Sequence, residues 1–429
     1  MSNFSEDNQQ RRRGWKIGAL IVAGLLVVGG GAVGAITAPS WANFGDEPAA
    51  APSSSAPADK VQDDEPDAEE SEAPDAEEFT FGVTPTDGAA AVNPATLPEI
   101  QAKKAAVKDV VLAPVGGGEP VAGTVSEDGS SWKADGPLAF ATEYSFEFVL
   151  VDSAGTEHRQ EQTFTTVQPE NEANAWMYPA PGSTVGTGQA IEITFSEPVV
   201  NKDEVEKAIT ITSTSGQEGA FYWLNDTEVR YRAEEYWKPH STITVDMQLF
   251  GVDFGNGMIG NFNDTYSFKT HNNRLAVVDN ATKEMQVFID GKLERTFPVT
   301  LGTEEWPSFY GLYTVMEQYE QTRFSAESIG LKPGDPAYYE ATDVNWASRL
   351  SNGGAFVHEA LPAAQSVLGV ANVSHGCVGM SPEGAKYFYD TFGPGDMLEI
   401  RNTDTGPVQV WDGFGDWNVS WSDWTAQQA

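Results

Sequence analysis

The chain has 429 residues and a formal net charge of −38, and its length allows two to four domains with cores of their own. The acidic balance excludes a nucleic-acid binder, because phosphate binding needs clustered Lys and Arg. Residues 46–78 hold thirteen Asp or Glu residues and a single basic residue, Lys60. Such a run is typical of a solvated, disordered tether rather than a binding site.

The N-terminus predicts export. Arg11–Arg13 come before the uncharged residues 17–38, which are enough to span a bilayer as a helix. The basic side stays in the cytoplasm, so everything after residue 38 is expected outside the cell membrane. We therefore predict a cytoplasmic segment at 1–16, a membrane anchor at 17–38 and an acidic linker at 39–78. The small residues at 40–42 leave open cleavage as a signal peptide, which would make the protein secreted.

The next two segments predict β-sandwiches, at residues 79–168 and 169–271. Short β-rich runs alternate there with turn segments rich in Gly, Asp and Ser. Tyr144–Val151 and Ala190–Phe195 are examples of such strands. The sequence therefore indicates a mainly β fold with two immunoglobulin-like domains.

Residues 272–402 differ in character and predict a third, β-rich domain. Asp290-Gly291 separates two apolar runs, which is a strong signal for a two-residue hairpin. Residues 317–346 are polar and irregular, and a connection of that length inside a compact domain is usually a functional lid. Ser381-Pro382-Glu383 predicts the start of a short helix.

The last segment, 403–429, is rich in tryptophan. It holds four of the twelve tryptophans of the chain: Trp411, Trp417, Trp421 and Trp424. Two interpretations are open, a platform for carbohydrate or peptide and a cap packed against a neighbouring domain. The cap is favoured, because each indole brings a large apolar area that needs burial.

Cys377 is the only cysteine of the chain, so it has no intramolecular disulfide partner. It is an inert core residue, an intermolecular cross-link or a reactive nucleophile. A thiol attacks as the thiolate and needs a base or a positive environment. His358 ends an apolar run upstream and is the candidate base, whereas His158, His240 and His271 are expected to be ordinary surface residues.

Gly376 strengthens the nucleophile interpretation. A glycine just before a nucleophile lets the chain turn sharply and aim its backbone amides at one point, where they are candidate oxyanion donors. A metal site is disfavoured, because no close-spaced ligand pair is present. We expect neither a metal nor another cofactor.

The motif Ser374-His375-Gly376-Cys377, preceded by Phe356-Val357-His358, resembles the catalytic motif of the L,D-transpeptidases, the family with the YkuD-type domain. The resemblance extends to Ser381-Pro382-Glu383, to Gly413–Asn418 and to Trp223–Val229. These segments resemble the mycobacterial and corynebacterial branch of the family. It covers about residues 170–425 and is weaker over 79–168.

The resemblance implies a chemistry. Cys377 would attack the third residue of a peptidoglycan tetrapeptide stem and release the terminal D-Ala, and an amine of a second stem would resolve the thioester as a 3→3 cross-link. His358 would be the general base, oriented by the backbone carbonyl of Glu359, and His375 a supporting residue. Relatives also form thioesters with carbapenems, which makes these β-lactams expected inhibitors.

The resemblance also implies a substrate site. Its residues are Tyr339 or its neighbour Tyr338 in the lid, Gly353, Gly354, Ser374, Gly376 and Gly379. Relatives commonly carry Asn where this chain has Gly379, so a side-chain contact to substrate is expected to be missing. Two alternatives stay open: an L,D-carboxypeptidase that uses the same cysteine with water, and an inactive wall-binding relative.

Overall fold

The structure is a computed structural model that describes residues 78–335 and 338–428. The predicted cytoplasmic segment, the anchor at 17–38 and the linker up to residue 77 lie outside these ranges. Within the described ranges no helix is both long enough and apolar enough to cross a membrane.

The first seven strands build two small sheets that pack face to face. They are β1 (Thr80–Thr84), β2 (Glu99–Lys103), β3 (Ala105–Pro114), β4 (Gly123–Val125), β5 (Ser131–Ala134), β6 (Glu143–Asp152) and β7 (Glu157–Thr165). One sheet has the order β1-β2-β5-β4 and the other β3-β6-β7. Their inner faces share one apolar core, in which Ile100, Phe146 and Leu150 are fully buried, as expected of a β-sandwich.

Eleven shorter strands form the second sandwich. They are β8 (Glu172–Ala173), β9 (Ala175–Tyr178), β10 (Thr184–Val185), β11 (Ile191–Phe195), β12 (Ile209–Ser213), β13 (Gly219–Trp223), β14 (Glu228–Ala233), β15 (Thr242–Gln248), β16 (Asp253–Gly255), β17 (Met258–Gly260) and β18 (Asn263–Thr270). The two main sheets have the orders β10-β18-β15-β12 and β13-β14-β11-β9. Helix α1 (Lys202–Lys207) joins β11 to β12, and a 3₁₀ turn at Pro169–Asn171 leads into this part.

The last nine strands form a single sheet. They are β19 (Arg274–Asp279), β20 (Glu284–Ile289), β21 (Lys292–Thr300), β22 (Gly311–Thr314), β23 (Glu317–Phe324), β24 (Thr342–Arg349), β25 (Phe356–Glu359), β26 (Val378–Met380) and β27 (Met397–Arg401). The order is β22-β27-β19-β20-β21-β26-β25-β24-β23. Strands β25 and β26 are parallel, with His358 opposite Gly379. This pairing positions the site.

The helices of this part are short. They are α2 (Pro362–Gln365), α3 (Pro382–Thr391) and α4 (Trp421–Thr425), with 3₁₀ turns at Ala326–Ile329, Asp416–Asn418 and Ala426–Gln428. Ser381 caps α3 as its sequence predicts, since its hydroxyl accepts from the amide of Gly384 at 3.1 Å. The buried face of α3 carries Ala385 and Phe388 into the core of the nine-stranded sheet.

Two local predictions have different outcomes. Asp290 and Gly291 both have positive φ, of 50° and 78°, and form the two-residue turn between β20 and β21, as predicted. The prediction of one irregular lid over residues 317–346 is wrong, because both ends of this range belong to strands, β23 and β24, which pair antiparallel. Between these strands, the described residues 325–335 and 338–341 form the lid beside the site.

The C-terminal tryptophans divide into two kinds. Trp424 is fully buried and its indole nitrogen donates to Ala220 O at 2.9 Å, while that of Trp417 donates to Gly188 O at 2.8 Å. Both acceptors lie in the second sandwich, which matches the cap interpretation. Trp411 is the exception and stays 64% exposed.

The mainly β prediction is confirmed: an immunoglobulin-like part precedes a β-rich part with few short helices. We propose to keep the predicted domain bounds of 79–168, 169–271, 272–402 and 403–429. The supporting observation is that each of the first three ranges holds one of the three strand groups and one apolar core.

Candidate active site

Cys377 lies at the end of a loop that is tied to its surroundings by Ser374. The amide of Ser374 donates to Leu301 O at 3.0 Å, next to the end of β21. The Ser374 hydroxyl donates to Cys377 O at 2.6 Å and accepts from the amide of Gly376 at 3.3 Å. These contacts fold the loop into a tight turn immediately before β26, which holds the thiol at the edge of a rigid strand.

His358 lies on the neighbouring parallel strand, β25. Its Nδ1 is 2.7 Å from Glu359 O, and because a carbonyl only accepts, Nδ1 carries the hydrogen and Nε2 keeps its lone pair. Burial lowers the pKa of His358, against the opposing effect of that carbonyl. The ring packs edge-on to Phe324, with centroids 5.0 Å apart. The imidazole is therefore neutral and oriented as a proton acceptor.

The thiol of Cys377 is also neutral at rest. Its sulfur lies 3.6 Å from Gly354 O, to which the S–H donates. Burial raises the pKa of Cys377 to about 11, although a hydrogen bond from the backbone amide of Phe356 acts in the opposite direction. At neutral pH almost all of the thiol is protonated, so reaction needs a base.

Two cavities meet at the thiol. One, of about 180 Å³, is lined by His358, Ser374 and Gly379. The other, of about 450 Å³, is lined by Gly353 and Gly354. Four side chains line both cavities: Phe324, Tyr339, His375 and Cys377. Of the predicted site residues, Gly376 alone does not line either cavity. A substrate group can thus approach Cys377 from either of two directions.

The lid contributes Tyr339 rather than Tyr338. The Tyr339 ring lies 5.2 Å from the ring of His375, centroid to centroid, and burial raises the pKa of its hydroxyl. Tyr338 instead donates a hydrogen bond to Glu327 at 2.8 Å, within the lid. Tyr339 is therefore the lid tyrosine at the thiol, and it stays protonated.

Gly379 has no room for a side chain, because neighbouring atoms fill the space that its Cβ would occupy. A Cβ there would lie 2.8 Å from the methyl carbon of Thr300 and 3.2 Å from Cβ of Ala360. The Thr300 hydroxyl also donates to Ala371 O at 2.8 Å and accepts from Val373 N at 3.1 Å. Thr300 thus fills the space of a side chain at 379 and braces the loop that leads to Cys377.

Sequence reasoning missed Thr300 and Phe324, and it also misplaced His271. No local motif marks the first two, because they reach the site from β21 and β23, far from the cysteine in sequence. His271 was predicted at the surface, but its Nε2 lies 3.5 Å from the buried carboxylate of Asp396.

Two family models match the chain. Residues 89–253 match a bacterial Ig domain, and residues 273–410 match the L,D-transpeptidase catalytic domain. The second range includes both strands that position His358 and Cys377.

Several proteins named as L,D-transpeptidases are similar to this chain in sequence. L,D-transpeptidase 2 of Mycobacterium tuberculosis is 36% identical over 312 residues, which cover 73% of this chain and 76% of that protein. L,D-transpeptidase 5 of the same species is 29% identical over 83% of this chain and 78% of its own length. Among solved structures, LD transpeptidase LdtMt1 in complex with imipenem aligns over 53% of this chain and 97% of its own, with 28% identity and a TM-score of 0.47.

The site geometry, the catalytic-domain match and the 36% identity over three quarters of a relative agree with the resemblance seen in the motif. The function that they support is that of an L,D-transpeptidase, with an immunoglobulin-like part before the catalytic domain. The chain belongs to the L,D-transpeptidase family.

Proposed function

We propose that Cys377 is the nucleophile of this transpeptidase and that His358 is its general base. The observation that carries the proposal is their placement: His358 lies in β25, Cys377 directly precedes the parallel neighbour β26, and both residues line one cavity. The Glu359 carbonyl fixes the imidazole so that Nε2 is the atom that accepts a proton.

The reaction has two halves. The sulfur of Cys377 bonds to the carbonyl carbon of the third stem residue, meso-diaminopimelate, while its proton passes to His358 Nε2. The C–N bond to the terminal D-Ala then breaks, and the departing amine takes the proton. In the second half a side-chain amine of another stem loses a proton to His358 and attacks the thioester. The C–S bond breaks, the thiol is reprotonated and a 3→3 cross-link remains.

The remaining predicted residues have supporting roles in this proposal. The backbone amide of Cys377, after the turn at Gly376, stabilises the oxyanion, and Ser374 holds that turn. The stem is bound by residues on the walls of the two cavities. His375 and Tyr339 lie between the two cavities and contact the bound stem. Gly353 and Gly354 bind the stem through their backbone. Because Gly379 has no side chain, Thr300 forms the cavity wall next to the thiol.

The two cavities favour transfer over hydrolysis. A transpeptidase has to admit a donor and an acceptor stem to the same sulfur, whereas a carboxypeptidase needs one stem and water. Both cavities end at Cys377, and the lid residue Tyr339 lines both. An L,D-carboxypeptidase shares the thioester, so the ratio of cross-linked dimer to released tripeptide separates the two activities.

We place the activity outside the cytoplasm, in the cell wall. The predicted anchor at 17–38 would tether the chain to the cell membrane, and cleavage after it would instead release a secreted enzyme. The acidic linker at 39–78 would set the distance between that membrane and the folded part.

The direct test uses the full-length chain. We expect a disaccharide tetrapeptide to give a dimer lacking one D-Ala, and meropenem, a carbapenem, to add its whole mass to the protein through opening of its β-lactam ring. Because the chain has one cysteine, an adduct in the intact-mass spectrum that is lost in Cys377→Ala is assigned to that thiol.

Variants decide the roles. Cys377→Ala should abolish both the dimer and the adduct, and His358→Ala should slow acylation by about 100-fold, in the range of general-base effects. A wild-type protein that forms neither product would be an inactive wall-binding relative. A His358→Ala variant that acylates at the wild-type rate would remove His358 from the role of base.

A further inference from the structure

Gly376, the residue before Cys377, has a backbone conformation that needs support from other groups. Gly376 has a φ of +111°, a value that only glycine adopts readily. A glycine also rotates easily about its backbone bonds, so the peptide unit between Gly376 and Cys377 can turn over unless another group fixes it. That peptide carries the amide proposed above as the oxyanion donor.

Ser308 holds this peptide from outside the motif. Its hydroxyl donates to Gly376 O at 2.8 Å and accepts from the amide of Gly302 at 3.0 Å. The side chain is 3% exposed, so water competes little for either bond. A Cβ at Gly302 would lie 2.7 Å from the nitrogen of Ser308, which shows how closely this loop is folded against its own start.

The loop that carries Ser308 is aligned with the nucleophile loop. The amide of Thr303 donates to Ser374 O at 3.0 Å, next to the bond from Ser374 N to Leu301 O. Ser308 is therefore held by backbone pairing at one end, and its own carbonyl accepts from the hydroxyl of Thr405 at 3.1 Å at the other. A side chain anchored in this way is a fixed point for the peptide between Gly376 and Cys377.

We propose that Ser308 is a positioning residue that orients the Cys377 amide toward the developing oxyanion. A trans peptide is planar, and its C=O and N–H point in opposite directions. A hydrogen bond that holds Gly376 O on one side therefore aims the Cys377 N–H to the other side. This inference rests on the thioester chemistry of the proposed function, and it adds a residue outside the catalytic motif.

The chemistry gives a readout that separates this role from a general structural one. When the sulfur attacks a carbonyl, a C–S bond forms and the π pair moves to oxygen, where the amide stabilises it. When the sulfur attacks iodoacetamide, it displaces iodide from a saturated carbon and no oxyanion forms. Ser308 should matter for the first reaction and not for the second.

The experiment compares Ser308→Ala, Ser308→Thr and Thr405→Val with wild type in the full-length chain. For Ser308→Ala we expect acylation by meropenem to slow by about 10- to 100-fold, below the full loss of an oxyanion donor. Alkylation by iodoacetamide should stay within about twofold of wild type, since alkylation makes no use of the donor. Ser308→Thr keeps the hydroxyl and should recover most of the acylation rate. Thr405→Val removes the hydrogen bond to the Ser308 carbonyl but keeps the Ser308 hydroxyl, so its acylation should slow less than that of Ser308→Ala.

The outcomes are distinct. A wild-type protein without an adduct contradicts the proposed function itself. A wild-type protein that acylates, together with a Ser308→Ala variant that acylates equally fast, overturns the role of Ser308. So does a Ser308→Ala variant in which alkylation falls as much as acylation, because the damage then lies at the thiol. A Ser308→Thr variant with the wild-type melting temperature and no recovery also overturns it.

Discussion

Cys377 and His358 form a resting pair in which both groups are uncharged. Burial penalises the thiolate and the imidazolium alike, and it moves the two pKa values apart in the directions that keep both groups neutral. The contact of the thiol with Gly354 O adds to this, because a carbonyl accepts only from the protonated sulfur. In the proposed mechanism, proton transfer to His358 is therefore part of the attack on substrate, and not a step that precedes it.

This resting state predicts how Cys377 alkylation depends on pH. With a thiol pKa of about 11, the thiolate fraction and the rate with iodoacetamide should rise about tenfold for each pH unit between about 7 and 9. Intact-mass measurements over that range test the slope. The urea-unfolded chain is the control, since its rate should level off above the ordinary thiol pKa of about 8.5. A native rate that is already flat below pH 8 would mean a resting ion pair.

Among the secondary-structure elements, the sequence predicted features that depend on neighbouring residues, and it did not predict those that depend on residues distant in the chain. The turn at Asp290-Gly291 and the cap of α3 at Ser381 depend only on neighbouring residues. The strand β23 was missed because it lies at the sheet edge, is mostly polar and has no buried residue, so it lacks an alternating apolar pattern. In β24 the buried apolar residues Val344 and Ala347 are three positions apart, which also breaks the alternation.

The site shows the same division. The motif around Cys377 was enough to predict the proposed nucleophile and its histidine, because both lie in recognisable local sequence. Thr300 and Ser308 act on the nucleophile loop across about seventy residues of chain. Thr300 makes its contacts from β21, which pairs with β26, and Ser308 makes its contact from the loop that follows β21. No pattern near either residue indicates these contacts.

The C-terminal segment is attached to the second sandwich through a cluster of indoles around one cation. The guanidinium of Arg232 lies 4.6 Å from the ring centroid of Trp417, 5.5 Å from that of Trp421 and 4.3 Å from that of Trp424. Trp424 also stacks on Tyr222, with centroids 4.6 Å apart. Burial lowers the pKa of Arg232 to about 10, so it remains charged at neutral pH and keeps its attraction to the rings.

This cluster predicts unequal roles for two tryptophans of the same segment. Trp424→Ala removes a fully buried indole and should lower the free energy of unfolding by about 3–5 kcal/mol. Trp411→Ala is the matched control, because Trp411 is exposed and its loss should cost about 0.5 kcal/mol or less. Urea unfolding followed by fluorescence measures both. Equal losses in the two variants would contradict the role of the cap.

In the whole molecule, the second sandwich and the catalytic sheet meet through backbone contacts. The amide of Gly186 donates to Pro394 O at 2.8 Å and that of Gly188 to Gly395 O at 2.9 Å. The buried Asp396 adjoins this contact, and burial raises its pKa to about 7. Arg274 lies 3.5 Å from its carboxylate. Hydrogen-bonded backbones at this distance leave no room for side chains between the two parts.

The close approach predicts that Gly186 is required for the junction of these two parts. A Cβ at this position would lie 2.2 Å from both the nitrogen of Asp396 and the carbonyl carbon of Gly395. Backbone atoms cannot rotate away as a side chain can, so Gly186→Ala has to separate the chains and break the bond to Pro394. We expect the free energy of unfolding to fall by about 2 kcal/mol or more, in the range of overpacked cores, measured as a lower urea midpoint and faster proteolysis between residues 271 and 274.

Gly406→Ala is the control, because a Cβ there meets no atom within 4 Å, and it should leave the midpoint unchanged. If both variants unfold at the same urea concentration, the junction tolerates a gap, and the two parts are not held by this contact.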